Sequence, residues 1–171
     1  MNYDLGLFVL RLALGPMLVA HGLNKVFGAG GLVGTTGWFD SLGLKPAWLH
    51  ARLAAFGEIG AGALLTLGLL VGPVCALFVA FMAVAAMTDH RGKGYWVFKG
   101  GSEYVVLVAM VAVGVAALGP GSWSLDNVLG WNVSGSWWAL SAGVGGVLVA
   151  LFFLAATFRP VQVSQNQEEK A

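Results

Sequence analysis

Three ionisable side chains lie inside or at the edge of the first apolar run of the sequence. Arg11, His21 and Lys25 share a sector of about 120° on a helix, together with Gly15 and Gly22. A polar stripe edged by small residues is typical of a helix face that turns toward other helices. An imidazole titrates near neutral pH and the two cations can stabilise developing negative charge, so the stripe suits proton transfer to a bound small molecule. Lys25 also suits an interfacial position, from which its ammonium group reaches water.

A carboxylate occupies the middle of the second apolar run. Glu58 shares its helical face with small residues such as Ala55 and Gly62, which predicts that it points toward other helices rather than toward lipid. It lies about 15 Å into a helix that starts near residue 48, between the expected heights of Arg11 and His21. Lone charges at that depth are costly, so an Arg11–Glu58 pair is expected, with either a catalytic or a structural role.

A further carboxylate, Glu103, begins the fourth apolar run directly after Ser102. Ser102 suits the N-cap position of a helix, and Glu103 is favourably placed at the positive end of the helix dipole. The alternative is a partnership of Glu103 with Lys25 or His21 at the mouth of a cavity. The sequence leaves both interpretations open.

The composition indicates that these side chains sit in a membrane protein. Of the 171 residues, 58% are hydrophobic and 10% are charged, with a mean hydropathy of +0.80, whereas soluble domains carry about 25% charged residues. The net charge of +1 gives no reason to expect a nucleic acid partner. The single cysteine, Cys75, excludes an internal disulfide and any motif of paired cysteines.

The apolar runs predict an all-α membrane protein, an antiparallel four-helix transmembrane bundle with a fifth C-terminal transmembrane helix. The first residues lack the basic segment of a signal peptide, so the first run is expected to stay in the protein. Because one helix over the second and third runs would be twice as long as a bilayer is thick, a turn is predicted near Gly72–Pro73. The predicted spans are about 5–27, 48–70, 73–89, 103–119 and 137–158, followed by a disordered tail over 159–171.

The basic residues predict the orientation of these spans. With five spans, eight of the nine lysine and arginine residues fall on one side and none on the other, which leaves Arg11 within a span. The positive-inside rule then predicts an N-terminus outside and a C-terminus in the cytoplasm.

Several segments, in this order, carry a family resemblance. They are R-L-A-L-G-P-M-L-V-A-H-G-L-N-K-V-F-G, T-G-W-F-D-S-L-G, F-G-E-I-G-A-G-A-L-L-T-L-G-L-L, G-K-G-Y-W with G-G-S-E-Y, and G-P-G-S-W-S-L-D. From about Leu5 to Asp126 the chain resembles the DoxX family of small bacterial membrane proteins, so residues 1–126 are interpreted as a DoxX-like domain. The fifth helix departs from the simplest family pattern. Its Ser141-xxx-Gly145 and Ala142-xxx-Gly146 spacings suit contact with the bundle, a second copy or another protein.

The resemblance implies a multi-pass protein of the bacterial plasma (inner) membrane that is linked to quinone or thiol redox defence. One family member serves as the membrane subunit of a thiosulfate:quinone oxidoreductase, and others form complexes with a sulfurtransferase and a superoxide dismutase. Stripe and resemblance together assign catalytic roles to His21, Glu58 and Glu103, and ligand binding to Arg11, Lys25, Trp38, Phe39, Trp96 and Tyr104.

Three functions compete on this basis. The first is a redox subunit that binds a quinone between its helices and takes electrons from a partner or a bound cofactor, because the sequence offers no electron carrier of its own. The second is a non-catalytic anchor that recruits soluble sulfurtransferase or superoxide dismutase through its cytoplasmic loops, the 28–47 loop above all. The third is a small-molecule or ion pathway along Arg11, Glu58 and His21, which would require a homo-oligomer.

A haem or metal site is a weaker interpretation of the three histidines. His21, His50 and His90 all lie toward the cytoplasmic side, and His50 and His90 look interfacial, so two of them are poorly placed to hold a haem between them. The same histidines with Asp89 or Glu103 could form a metal site.

Overall fold

The computed structural model describes residues 3–160, and the rest of the predicted tail, residues 161–171, lies outside the described residues. Within that range the chain is helical and contains no β-strand; Leu44 and Phe158 form an isolated β-bridge. A π-helical turn, Ser141–Gly145, joins the last two helices, and a short 3₁₀ turn covers Val97–Lys99. The α-helices are α1 (Tyr3–Phe27), α2 (Gly31–Ser41), α3 (Ala47–Leu67), α4 (Val71–Met87), α5 (Glu103–Leu118), α6 (Leu125–Val128), α7 (Ser136–Leu140) and α8 (Gly146–Thr157).

The helix lengths agree with the predicted class, a helical membrane protein. Helix α1 has 25 residues and the continuous helix Ser136–Thr157 has 22, and both are long and apolar enough to cross a membrane. Helices α4 and α5 are apolar but shorter, with 17 and 16 residues. The number of helices that cross the bilayer and their orientation therefore stay predictions.

The turn between the second and third predicted spans comes earlier than expected. Helix α3 ends at Leu67 because Gly68 adopts a left-handed conformation with φ 69°, and α4 already begins at Val71. Gly72, predicted to lie in the turn, is instead a packing residue of α4. A Cβ atom there would come within 2.5 Å of the Trp138 ring, so the glycine is what allows α7 to pack at this point.

The 28–47 segment, predicted as a loop, contains helix α2. Gly30 and Gly31 have φ angles of 80° and 51°, which end the first helical segment and reorient the chain. Helix α2 then packs against α1 and α3, and Thr35 donates a hydrogen bond to the carbonyl of Lys25 at 3.0 Å. The segment is therefore part of the bundle.

Helices α1 and α3 pack closely through glycines. A Cβ atom on Gly22 would lie 2.5 Å from the carbonyl oxygen of Ala55, and one on Gly62 would lie 2.5 Å from the carbonyl oxygen of Gly15. The prediction that the glycine-edged face of α1 turns toward other helices is thus confirmed. On the other side of the bundle, α4 packs mainly on α5 and α8.

The C-terminal helix packs against the bundle, which answers the question left open by its small residues. Ala142 and Gly146 are buried, and a Cβ atom on Gly146 would lie 2.6 Å from the carbonyl oxygen of Ala76 on α4. Ser141, by contrast, is exposed and Gly145 has nothing within 4 Å of an added Cβ atom.

One end of the bundle is closed by hydrogen bonds between chain segments. Asp126, only 1% exposed, accepts hydrogen bonds from the backbone N–H groups of Leu70 and Val71, each at 2.8 Å. The N–H of Asp126 donates to the carbonyl of Gly68 at 2.9 Å. We call this arrangement, together with Arg11, the clasp. It ties the α3–α4 turn to the segment after α5, at the end of the bundle opposite to the cavity described below.

Candidate functional site

A cavity of about 550 Å³ lies between the helices at the end that carries most of the basic residues. Its walls come from the C-terminal halves of α1 and α4, the N-terminal half of α3, and parts of α2, α5 and α8. The walls are mainly apolar, and a few polar groups converge in them, as is usual for small-molecule sites of this size. Six of the nine predicted site residues line it: His21, Lys25, Trp38, Phe39, Glu58 and Tyr104.

The centre of this polar group is an ion pair between Lys25 and Glu58. Lys25 Nζ lies 2.5 Å from Glu58 Oε2, and the two side chains are only 13% and 11% exposed. A buried carboxylate needs such a partner, because an unpaired charge in a low-dielectric interior is costly. The prediction that Glu58 points into the bundle is confirmed, but its partner is Lys25.

The expected Arg11–Glu58 pair is wrong. Arg11 is 1% exposed and lies at the clasp, where its Nη2 donates to the carbonyl of Trp123 and its guanidinium lies 5.7 Å from the Phe8 ring centroid. Its guanidinium also packs against Gly68, where an added Cβ atom would clash with Arg11 Nη1. Arg11 therefore belongs to the closed end of the bundle, because the segment after α5 folds back over the start of α1.

His21 lines the same cavity, one helical turn before Lys25. Both His21 and Glu58 line the cavity, although the side chain of His21 is exposed. Tyr104, at the start of α5, brings a phenol group to the cavity and is 39% exposed. The cavity thus brings an imidazole, an ammonium, a carboxylate and a phenol together beside apolar walls, a set that can bind and exchange protons with a polar headgroup.

Aromatic side chains form part of the wall. Phe39 is buried, and its ring meets that of Trp38 edge to face with 5.1 Å between the centroids. Phe153 of α8 meets the ring of His50 in the same manner at 4.9 Å. Helix α2, which sequence patterns did not predict, is the element that brings Trp38 and Phe39 to the cavity.

The structure places His50, which is expected at the membrane interface, inside the protein, and its depth in the bilayer stays a prediction. The side chain is buried, lines the cavity, and has Nε2 3.1 Å from the carbonyl oxygen of Lys45, to which it donates. Its Nδ1 is buried and has no hydrogen-bond partner within residues 3–160. One signal could have revealed it: His50 precedes Glu58 by eight residues, which places the two about 80° apart on α3.

Glu103, Trp96 and Arg11 do not line this cavity. Glu103 Oε2 accepts a hydrogen bond from the backbone N–H of Val97 at 3.0 Å, which closes the loop before α5. Ser102 occupies the N-cap position of α5 as predicted, but its side chain makes no capping hydrogen bond. Trp96 stacks on Phe98 with 6.0 Å between ring centroids on the exposed side of that loop.

Metal binding is not supported by the geometry of the histidines. Across residues 3–160, no three His, Cys, Asp or Glu side chains come together in a group that could hold a metal ion. His90 instead contacts the carbonyl oxygen of Gly100 through Nδ1 at 2.7 Å.

Fold and site together define a small helical membrane protein with an internal cavity of mixed polarity. The DoxX family profile matches residues 6–91. The Bacillus subtilis (strain 168) protein named Putative oxidoreductase CatD is 30% identical over 125 residues, which cover 73% of this chain and 87% of that relative. Inner membrane protein YphA of Escherichia coli (strain K12) is 29% identical over 129 residues, which cover 71% and 88%.

The chain belongs to the DoxX family, and it is a bacterial inner-membrane protein. No solved structure matches it.

Proposed function

We propose that this protein is the membrane subunit of a redox system for oxidative-stress or thiol defence, and that it binds a quinone in the cavity around Lys25 and Glu58. The observation that carries the proposal is this buried ion pair, 2.5 Å apart, at the wall of a largely apolar cavity of about 550 Å³. The word oxidoreductase in the name of the B. subtilis relative supports the same class of function.

The residues around the cavity suit the proton chemistry of a quinone. Reduction to the quinol takes up two electrons and two protons. Lys25 and His21 can donate hydrogen bonds to a carbonyl oxygen of the headgroup, and Glu58 can pass protons. The unpartnered Nδ1 of His50 is an acceptor suited to a quinol hydroxyl group. The electrons come from a partner protein or a bound cofactor, because the chain offers no electron carrier of its own. The soluble sulfurtransferase and superoxide dismutase implied by the family resemblance are candidate docking partners.

We further propose that the protein crosses the membrane five times, with its N-terminus outside and the cavity in the cytoplasmic half. The basic residues at the cavity end support this orientation through the positive-inside rule. Single cysteines test it in intact cells, since the native Cys75 is fully buried. A membrane-impermeant maleimide should label Val128→Cys but not Lys93→Cys, and the reverse labelling pattern would refute the orientation.

The scaffold hypothesis has one observation in its favour. The loop before α5 exposes Tyr95, Trp96 and Phe98 at the basic end, where a soluble enzyme could dock. However, the 28–47 segment, on which that hypothesis relied most, buries Phe39 within the bundle. The transport hypothesis loses support because Arg11 lies at the clasp, away from the Lys25–Glu58 pair.

Quinone retention by the purified protein tests the redox proposal. We expect quinone to copurify with the wild-type protein in mild detergent, detected by mass spectrometry, and to be reduced at least about tenfold in His21→Ala and Glu58→Gln. Arg52→Gln is the matched control, because Arg52 lies on α3 but is exposed and stacks on Trp48. Equal quinone in all four proteins would refute the cavity as the binding site.

Retention of soluble partners separates the alternatives. If Glu58→Gln loses quinone but still pulls down the same soluble proteins, binding of quinone and docking of the partner use different surfaces. A protein that never holds quinone but retains its partners would favour the scaffold. Flux into proteoliposomes that Glu58→Gln abolishes would favour transport.

A further inference from the structure

A second recess lies outside the cavity, between the C-terminal end of α4, the loop after it, and α8. It is an open groove of about 960 Å³. One wall is apolar and includes Leu151, Leu154 and Phe158, whereas the rim at the basic end includes His90, Arg91 and Ser102. A groove that is apolar along a membrane helix and polar at the helix end has the layout of a lipid molecule at an interface.

Arg91 supplies the charge at this rim. Its guanidinium lies 5.7 Å from the Phe158 ring centroid, and among residues 3–160 no carboxylate forms a salt bridge with it. The neighbouring cations are differently engaged. Lys93 contacts Asp89 at 3.4 Å, and Arg159 donates to carbonyl oxygens of its own helix end, including that of Phe158 at 2.9 Å.

The backbone beside Arg91 leaves room for a headgroup. Gly92 and Gly94 both line the groove with φ 78°, and an added Cβ atom at either would meet nothing within 4 Å. All residues from 91 to 100 are exposed. A phosphate group can therefore approach both the guanidinium and the loop without displacing a side chain.

We propose that this groove binds one anionic phospholipid of the leaflet at the basic end, with its phosphate on Arg91 and an acyl chain along Leu151 and Leu154. Arginine matches a phosphate with two parallel hydrogen bonds, and basic pockets between membrane helices select acidic headgroups. The chain is an inner-membrane protein, so lipid surrounds α8 at high concentration. The proposal does not depend on the redox function of the cavity.

Lipid selectivity measured by native mass spectrometry tests this site. The purified protein is titrated in detergent with dioctanoyl phosphatidylglycerol and, separately, with dioctanoyl phosphatidylcholine, which has the same chains but no net charge. We expect about fivefold tighter binding of the anionic lipid, because one interfacial arginine provides about that factor. Arg91→Gln should abolish the preference, and Arg91→Lys, which keeps the charge, should retain most of it.

Two further variants distinguish a specific site from diffuse surface charge and from a groove filled by the acidic tail. Arg159→Gln is the matched control at the same end of α8, and it should leave the preference unchanged. Equal binding of both lipids would overturn the proposal, since the groove would then show no charge preference. Equal losses in Arg91→Gln and Arg159→Gln would overturn it in favour of diffuse charge. Truncation after Pro160 removes Glu168 and Glu169. If truncation tightens lipid binding fivefold or more, the acidic tail occupies the groove in the full chain and the proposal is wrong.

Discussion

Replacing Asp126 with alanine should destabilise the protein more than any other single carboxylate change outside the cavity. The substitution removes the acceptor for the N–H groups of Leu70 and Val71, which lie 2.8 Å from its two oxygens at the start of α4. Each buried N–H left without a partner costs about 1–3 kcal/mol, and the lost charge at the helix N-terminus costs about 0.3–1 kcal/mol. Asp126 is only 1% exposed and its bond with Val71 is buried, whereas its bond with Leu70 is partly buried, so we expect a loss of about 2–5 kcal/mol.

The conservative variant and a second, more accessible aspartate sharpen the test. Asp126→Asn keeps one acceptor oxygen and should lose about half as much stability. Asp4→Ala removes a single bond, from the N–H of Ser122 at 2.7 Å at the start of α1, and should lose much less stability because water can replace that bond. The free energy of unfolding is measured by SDS titration in mixed micelles. If Asp126→Ala costs no more than Asp4→Ala, the clasp does not hold the end of the bundle together.

Two more substitutions follow from the packing and the ion pair. Lys25→Met should lower the free energy of unfolding by about 2–4 kcal/mol, because it leaves the Glu58 carboxylate buried and unpaired. Adding Glu58→Gln should recover at least half of that loss in a double-mutant cycle. Independent, additive losses would show that the two groups do not stabilise each other. Gly146→Val should lower the free energy of unfolding by about 1–3 kcal/mol, because its Cβ atom would lie 2.6 Å from the carbonyl oxygen of Ala76. At the adjacent Gly145, an added Cβ atom meets nothing within 4 Å, so Gly145→Val should change the melting temperature little. Equal shifts for the two glycines would mean that α8 does not pack on α4 as described.

Sequence periodicity predicts the helices and the inward faces well, because both depend on local spacing. The small residues around Glu58 and the stripe that carries His21 and Lys25 indicated which faces meet, and these three ionisable groups do meet in the cavity. Arg11, on the same stripe, shows the limit of the method. Helical angles and depths place each residue on its own helix, but they do not show how far a long lysine side chain reaches along the bundle.

The parts that sequence patterns missed depend on contacts between distant segments. Asp126 lies in a short helix after α5, and nothing in its spacing indicates that it caps α4. Helix α2 contains three glycines, and such a composition is typical of a loop. Its contacts with α1 and α3, which the local sequence does not reveal, stabilise it as a helix. The burial of His50 depends in part on the ring of Phe153, which lies 4.9 Å away and comes from a distant part of the chain.

The closed end of the bundle constrains the energetics of any reaction in the cavity. Arg11 and Asp126, each 1% exposed, occupy this closed end. On the proposed function, electrons from the donor and protons for the quinone would therefore enter the cavity from the same compartment. Turnover would carry no net charge from one face of the membrane to the other, so this protein would consume reducing equivalents without adding to the transmembrane voltage.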